Sequence, residues 1–222
     1  MIDKVFADIA DAVSCVGDGQ TLLVGGFGES GVPNRLIEAL VDRRPRELVL
    51  VSNNAGSTTA GLGALLAAGC VRRIVCSYPR SRGSVAFEEL YRAGRIELEL
   101  VPQGTLVERL RAGGAGIGGF YTPTSVGTLL AENKETREFD GRLHVLELPI
   151  RGDVALVRAH KADRWGNLVY RRAMRNFATV MVAAAGTTIA EVDEIVPLGA
   201  IDADAVHTPG VFVDRVVRQD RG

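Results

Sequence analysis

Leu22-Leu23-Val24-Gly25-Gly26-Phe27-Gly28-Glu29-Ser30-Gly31-Val32-Pro33-Asn34-Arg35-Leu36-Ile37-Glu38-Ala39-Leu40 is the stretch whose reading decides the fold. A short apolar run leads into four glycines, Gly25, Gly26, Gly28 and Gly31, and an amphipathic segment follows. The apolar run reads as a buried strand. Glycines let the backbone turn sharply and let a ligand approach the main chain closely. Pro33 suits the first turn of a helix, where its missing N–H costs nothing. Strand, glycine loop and helix in this order aim free N–H groups and a helix dipole at one point, which suits an anionic ligand.

Outward from this unit, Val5, Phe6, Ile9, Ala10 and Val13 sit at helical spacing and predict a first helix over 4–14. Asp18-Gly19 marks a turn before a strand at 21–25, and the helix after the glycine loop covers 34–43. Residues 47–52 form a second continuous apolar strand that ends in Asn53-Asn54-Ala55-Gly56-Ser57. A helix over 59–68 closes at Gly69. A strand over 73–77 leads to Tyr78-Pro79-Arg80-Ser81-Arg82-Gly83-Ser84. A helix over 85–93 has Gly94 just past its end. Residues 96–101 alternate apolar and acidic side chains, as a strand with one exposed face does. A short helix is expected over 105–111.

The glycine-rich residues 113–128 read as a long loop wrapping a site, because structureless loops of that length are usually functional. Residues 131–142 are charged and expected to be solvated. Strands are expected over 143–148 and 154–161, then a turn at Asp163-Arg164-Trp165-Gly166-Asn167 and a hairpin arm over 168–170. Residues 180–184 and 187–191 are β-rich, 197–210 irregular, and 211–217 a last strand. Continuous apolar strands alternating with helices through residue 112 predict an α/β fold with a mainly parallel sheet covered on both faces. Consecutive strands in the second half add hairpin elements and make the sheet mixed. No repeat, linker or low-complexity tract divides the chain, so 1–222 is expected to be a single domain.

Composition narrows the function classes. A chain of 222 residues with 46% hydrophobic content and a net charge of -1 is ordinary for a soluble protein. No charge excess points to nucleic acid or an anionic membrane. The apolar runs are shorter than the ~18 residues of a membrane span. The start, Met1-Ile2-Asp3-Lys4, lacks the pattern of a signal peptide. Cys15, Cys70 and Cys76 are odd in number, lack metal spacing and lie among apolar residues, as reduced core thiols of a cytoplasmic protein do. His144, His160 and His207 are dispersed, so no metal site is expected.

Several chemistries compete for the loop. Gly26-Phe27-Gly28-Glu29-Ser30-Gly31 formally matches the G-x-G-x-x-G dinucleotide fingerprint. That reading needs an acid about 20 positions on to hold a ribose, and Asn53 and Asn54 stand at the end of the second strand instead. A glycine turn needed only for packing is the bland alternative, and the clustering of four glycines with Pro33 favours a ligand loop over it. Glu29 invites a role as nucleophile or base. An acid near a helix N-terminus is also favourable without any catalysis, and that reading is preferred. Ser30 lacks the G-x-S-x-G elbow of a serine hydrolase. Asn53 and Asn54 can donate to a carbonyl or carboxylate or make Asx turns. Their place at the carboxyl end of a parallel strand favours ligand contact. Arg80 and Arg82 follow the third strand and either clamp a carboxylate bidentately or lie exposed on a loop. Trp165 shields a ligand or packs on the hairpin with equal weight. His160, flanked by apolar strand residues, reads as structural.

Taken together, these stretches resemble the A (alpha) chain type of family I coenzyme A transferases. Asp18-Gly19 followed by Leu22-Leu23-Val24-Gly25-Gly26-Phe27, Gly31 and Pro33 matches that family's first signature. Ser52-Asn53-Asn54-Ala55-Gly56, Val101-Pro102-Gln103-Gly104-Thr105-Leu106 and Gly114-Ala115-Gly116 leading to Phe120-Tyr121-Thr122-Pro123-Thr124 also match. So do Lys161-Ala162-Asp163 with Gly166-Asn167, and Arg175-Asn176-Phe177.

The resemblance implies transfer of CoA between two carboxylic acids by ping-pong chemistry. An enzyme glutamate attacks the acyl-CoA, forms a mixed anhydride and then becomes a glutamyl-CoA thioester, which splits one difficult exchange into easier steps. The family carries that glutamate in a Ser-Glu-Asn-Gly motif of the B subunit, and the motif is absent here. The resemblance thus implies no nucleophile in this chain, a partner B subunit, and an A2B2 heterotetramer. It implies no permanently bound cofactor, with the CoA thioester as substrate. It implies that Gly25, Gly26, Phe27, Gly28, Glu29, Ser30 and Gly31 line the CoA site, and that Asn53, Asn54 and Gln103 point toward the acyl groups.

One departure bears on substrate. Acetoacetate-type relatives usually carry Ser-Tyr-Val-Gly-Glu-Asn after the third strand, where this chain has Ser77-Tyr78-Pro79-Arg80-Ser81-Arg82. That version, with Asp163-Arg164-Trp165-Gly166-Asn167, resembles the 3-oxoadipate:succinyl-CoA branch. The second carboxylate of 3-oxoadipate suits a guanidinium, so Arg80, with Arg82 in second place, is the expected partner. Acetoacetate is the close alternative acceptor. A non-catalytic CoA- or metabolite-binding protein is the alternative of another class, supported only by the missing glutamate.

Overall fold

The computed structural model describes residues 2–56, 60–80 and 84–219. In chain order these contain β1 (Val5–Phe6), α1 (Ile9–Ala12), β2 (Thr21–Val24), α2 (Asn34–Arg43), β3 (Leu48–Val51), α3 (Leu62–Ala67), β4 (Val71–Cys76), α4 (Val85–Arg92) and β5 (Glu97–Leu100). There follow α5 (Gln103–Ala115), β6 (Phe120–Thr122), β7 (Thr136–Phe139), β8 (Arg142–Glu147), β9 (Gly152–Ala162), β10 (Leu168–Val169), α6 (Ala178–Ala184), β11 (Ala185–Ile195) and β12 (Arg215–Arg218).

The main sheet runs β1-β12-β11-β9-β2-β3-β4-β5, with every neighbouring pair parallel and β10 added antiparallel on β9. β6, β8 and β7 make a separate antiparallel sheet. Leu22, Leu50, Ile74 and Leu98 stand in one row across β2 to β5.

Neighbouring residues on a strand point to opposite faces, and here both faces are covered. Leu22, Val24, Leu48, Leu50, Ile74, Cys76, Val154 and Leu156 pack with Ala12 of α1, Leu36, Ile37 and Leu40 of α2, Leu65 and Leu66 of α3, and Phe87 of α4. Leu23, Val51, Val75 and Ala155 pack on the other side with Leu106 and Leu110 of α5 and Val180, Met181 and Ala184 of α6. Burial on two sides is why the strands are unbroken Val/Ile/Leu runs. Each fully buried side chain of that size contributes roughly 1.5–3 kcal/mol. Burial raises the Cys76 thiol to about 12, so this cysteine is a packing residue.

Where the elements differ from expectation, tertiary partners explain it. The helix expected over 4–14 begins as a strand, because Val5 and Phe6 pair with Val216 and Val217 at the sheet edge. The start expected for α3 falls partly on residues 57–59, outside the described residues. Residues 113–115 belong to α5 and are not loop. A Cβ on Gly113 would stand 2.0 Å from the Ile150 carbonyl oxygen, and one on Gly114 2.8 Å from that of Ala183. These glycines serve close packing of the helix, and Gly116, at φ 72°, caps it. Residues 120–122 are strand, and 136–139 form an exposed strand inside the charged segment. The run 180–184 is helical: Val180, Met181 and Ala184 join the cluster shared by α5 and the strands beside it, while Ala178 and Val182 join a second cluster with β9, β11 and β12, so the helix is apolar on two sides.

The N-terminus of α2 corrects the opening expectation. The amides of Arg35 and Leu36 donate to Glu191 Oε2 on β11, at 2.9 and 3.1 Å. Glu191 is fully buried. The helix dipole is therefore met from within the protein and does not wait for a ligand.

Burial pushes the Glu191 carboxyl above its ordinary value, against the Leu36 amide, the Arg158 guanidinium and the Arg35 amide, which favour the ionised form. A raised folded-state value means that the stability Glu191 contributes is fully present below the unfolded carboxylate value and is lost as pH rises through the folded one. Urea unfolding at several pH values, compared with Glu191→Gln, should show wild type losing stability relative to the variant across that window. A slope of the opposite sign would contradict the assignment.

Candidate active site at the carboxyl ends of the sheet

From β2 the chain builds outward to β3, β4 and β5, and from β9 it builds the other way to β11 and β12. The order reverses between β2 and β9. Ligands of open α/β sheets gather outside the carboxyl ends at such a reversal. The loops after β2, β3, β4 and β5 all emerge there.

The glycine loop is a tight hairpin. Phe27 N–H donates to Ser30 O and Ser30 N–H to Phe27 O, both at 3.0 Å, with Gly28 and Glu29 at the exposed tip. Gly26 and Gly31 have φ of 134° and 73°. A Cβ on Gly26 would stand 2.7 Å from Val32 Cγ2, and one on Gly31 2.9 Å from Met174 Cα. Gly25 N–H continues the sheet to Leu156 O at 2.9 Å, and Gly26 N–H donates to Asn176 Oδ1 at 3.1 Å. The loop N–H groups expected to be free are thus engaged at Gly25, Gly26, Phe27 and Ser30.

Phe27 and Gly28 are what the loop offers to two adjoining cavities. One, of about 420 Å³, is lined by Phe27, Gly28, Asn53, Asn54, Ser77, Tyr78 and Gln103. The other, of about 430 Å³, shares Phe27 and Gln103 and continues over Gly104, Val107, Glu108 and Arg111 of α5 and over Asn176, Phe177, Thr179 and Val180. Phe27, half exposed, stands at the junction.

Asn53 is the fixed point of the floor. Its Oδ1 accepts from Gln103 Nε2 at 2.8 Å and lies 2.7 Å from Ser77 Oγ. Ser77 Oγ also lies 3.0 Å from Asn53 O, so one hydroxyl proton is shared between two acceptors. With Oδ1 turned to these donors, Asn53 Nδ2 is left as the group that can donate to a bound carbonyl or carboxylate. Asn54 makes an Asx turn, Oδ1 accepting from Gly56 N–H at 2.8 Å, and still lines the cavity. Gln103 opens α5, whose first intrahelical bond is Leu106 N–H to Pro102 O at 2.8 Å. The amides of Gln103 and Gly104 precede it, so the positive end of α5 lies at both cavities and favours developing negative charge there. The anion-favouring helix end that the sequence suggested for α2 is supplied by α5.

The structure joins Phe27, Gly28, Asn53, Asn54 and Gln103. Gly25, Gly26, Ser30 and Gly31 shape the hairpin behind them. Glu29 lies at the tip, outside the lining of either cavity. Arg80 sits two residues past Tyr78, with Nε donating to Glu88 Oε1 at 2.9 Å beside a separate depression over Phe87 and Tyr91. Arg82 lies outside the described residues. Trp165 belongs to a turn built on Asp163, whose carboxylate accepts from Trp165 N, Asn167 N and Asn167 Nδ2. His160 Nδ1 lies 3.1 Å from Asp193 Oδ2. Bonds from His160 and Arg158 outweigh partial burial and hold the Asp193 carboxyl below its ordinary value, a structural pairing across β9 and β11. Among the described residues no group of three or more His, Cys, Asp and Glu could hold a metal, and no helix is long and apolar enough to cross a membrane.

Sequence reasoning misses Ser77, Tyr78, Asn176 and Phe177 as site residues. Asn176 and Phe177 carry a signal that could have found them, since Arg175-Asn176-Phe177 is among the matching stretches.

The coenzyme A transferase family model matches residues 6–219. The chain belongs to the coenzyme A transferase family. This makes it an enzyme polypeptide of the transferase class, consistent with cavities at a helix N-terminus lined by amide side chains. It is 57% identical to the A subunit of the 3-oxoadipate CoA-transferase of Pseudomonas putida, over 98% of this chain and 94% of that one. It is 54% identical to the A subunit of the succinyl-CoA:3-ketoacid coenzyme A transferase of Xanthomonas campestris pv. campestris (strain B100), over 96% of this chain and 88% of that one. The solved apoenzyme of an acyl-CoA transferase from Escherichia coli O157:H7 superposes with a TM-score of 0.88 at 25% identity, covering 98% of this chain. The present chain spans 47% of that longer one, about half its length.

Gln103 is exposed and Asn53 is 6% exposed. Gln103→Ala should therefore leave stability within about 0.5 kcal/mol of wild type. Asn53→Ala, which removes a buried acceptor, should cost about 1–3 kcal/mol in the same denaturant titration. Equal costs would contradict the described floor.

Proposed function

We propose that this chain is the A half of a CoA-transferase that moves CoA from succinyl-CoA to a 3-oxo acid, 3-oxoadipate in preference to acetoacetate. The observation that carries the reading is the absence of an available carboxylate where the chemistry needs one. Among the described residues no acidic side chain lines the Asn53 cavity, and the one that lines its neighbour, Glu108, is paired with Arg111 at 3.1 Å. The reacting glutamate then comes from a B subunit seated over the groove, in an A2B2 assembly. That glutamate attacks the acyl-CoA carbonyl and expels CoA thiolate. The thiolate attacks the glutamyl carbonyl of the mixed anhydride, releases the first acid and leaves a glutamyl-CoA thioester. The acceptor carboxylate reverses the sequence. Asn53 Nδ2, Gln103 and the α5 N-terminus serve the oxygens on which negative charge develops. The glycine hairpin, Gly25 to Gly31, forms one wall for CoA, which enters in the donor thioester and leaves in the acceptor thioester.

Arg80 is the proposed partner of the distal carboxylate, with Arg82 in second place. Nε of Arg80 is anchored on Glu88, and the planar fork suits bidentate recognition of a carboxylate. The relative most alike among those described above is named for 3-oxoadipate, which supports that acceptor. Cys15, Cys70 and Cys76 are free thiols, in keeping with the cytoplasm as the place of action.

The test is reconstitution with the B subunit, followed by a panel of acceptors. Transfer should appear only on mixing and should favour 3-oxoadipate over acetoacetate. Arg80→Ala should reduce that preference roughly tenfold or more, the scale of losing one hydrogen bond to a charged group. Activity of this chain alone would overturn the division of labour, and an unchanged preference would remove Arg80 from the acceptor site.

A further inference from the structure

We infer that Asn176 is a positioning residue that sets the place of Phe27 at the junction of the two cavities. This rests on the proposed transfer reaction for its kinetic consequence but not for its structural one. The Asn176 side chain holds both legs of the glycine hairpin at once. Its Oδ1 accepts from Gly26 N–H on the incoming leg at 3.1 Å, and its Nδ2 donates to Ser30 O on the outgoing leg at 2.9 Å. The same amide is itself held, Oδ1 by Phe177 N–H at 2.6 Å and Nδ2 by Ala173 O at 2.6 Å. Both acceptor positions and both donors of one carboxamide are therefore used.

The hairpin's own pair of Phe27–Ser30 hydrogen bonds closes the turn. A Cβ at Gly28 would meet nothing within 4 Å, and Phe27 is 53% exposed. Gly31 lets the outgoing leg lie against Met174 and Asn176, where a Cβ would come within 2.9 Å of Met174 Cα and 3.0 Å of Asn176 Nδ2. Phe27 contributes to both cavities, and Asn176 and Phe177 line one of them. A carboxamide is required because the two hairpin groups are of opposite kind, one N–H and one C=O. A carboxylate keeps the bond to Gly26 but sets an oxygen against Ser30 O. An alanine loses both.

Hydrogen exchange of the full chain reads the structural claim without any activity. In Asn176→Asp, the amides of Phe27 and Ser30 should exchange roughly tenfold faster or more, as expected when the hydrogen bond that holds the outgoing leg is lost, while those of Gly26, β2 and α2 keep their rates. Gly31→Ala should give the same local change with the Asn176 amide intact, which guards against a variant that fails to fold. Unchanged hairpin rates, or acceleration spread through β2 and α2, would overturn the assignment.

A double-mutant cycle in the A–B complex then reads the kinetic claim. Asn176→Asp should lower kcat/KM at least about tenfold in the native background and less than about threefold once Phe27 is alanine, because neighbours that act together are not additive. Equal losses in both backgrounds would mean that Asn176 acts independently of Phe27, and the inference would fail. If no background shows transfer, the proposed function fails, and the exchange rates still decide the structural claim.

Discussion

The constraint on which everything else depends is two-sided burial of the parallel strands. A strand such as β3 has no wet face, so each crossover must lay a helix on the sheet and bring the chain back to start the next strand in the same direction. The loops after β2 to β5 then emerge at one edge, whatever their sequences. Asn53, Ser77 and Gln103 come from three different strand ends and meet within hydrogen-bond distance for this reason. The site is a consequence of packing before it is a consequence of chemistry.

Helix ends complete the arrangement. Among the helices that begin at this edge, α2 and α5 are treated differently. The start of α2 is closed by buried Glu191, which ties the segment after the glycine hairpin to β11. The start of α5 is left at the cavities, with Gln103 and Gly104 in their walls. One positive helix end is closed from within the protein, and the other lies at the cavities.

Much of this was legible in the sequence because the signals were local. Unbroken runs such as Leu48–Val51 could only be strands covered twice, and polar residues just past them had to lie at the carboxyl edge. That placed Asn53 and Asn54 correctly from the sequence alone. What stayed hidden depended on distant partners. Gly113 and Gly114 read as loop, because nothing nearby in sequence announces Ile150 and Ala183 as the backbone they approach. Val180-Met181-Val182 read as strand, because a helix buried on two sides shows no single apolar stripe. Asn176 and Glu191 lie 150 and 155 residues from the backbone groups that they hold. The glycines announced a sharply turning loop, but neither its hairpin form nor that its amides are already occupied.

The central claim is that this groove is one half of a CoA-transfer site and that the reacting carboxylate is brought by the proposed partner. Its most direct measurement is the location of the covalent intermediate. The assembled enzyme is incubated with an acyl-CoA without acceptor, quenched, and the chains are separated and weighed by mass spectrometry. A CoA-sized increment is expected on a carboxylate of the partner chain and none on this one. An increment on Glu29, Glu108 or any other carboxylate of this chain would contradict it.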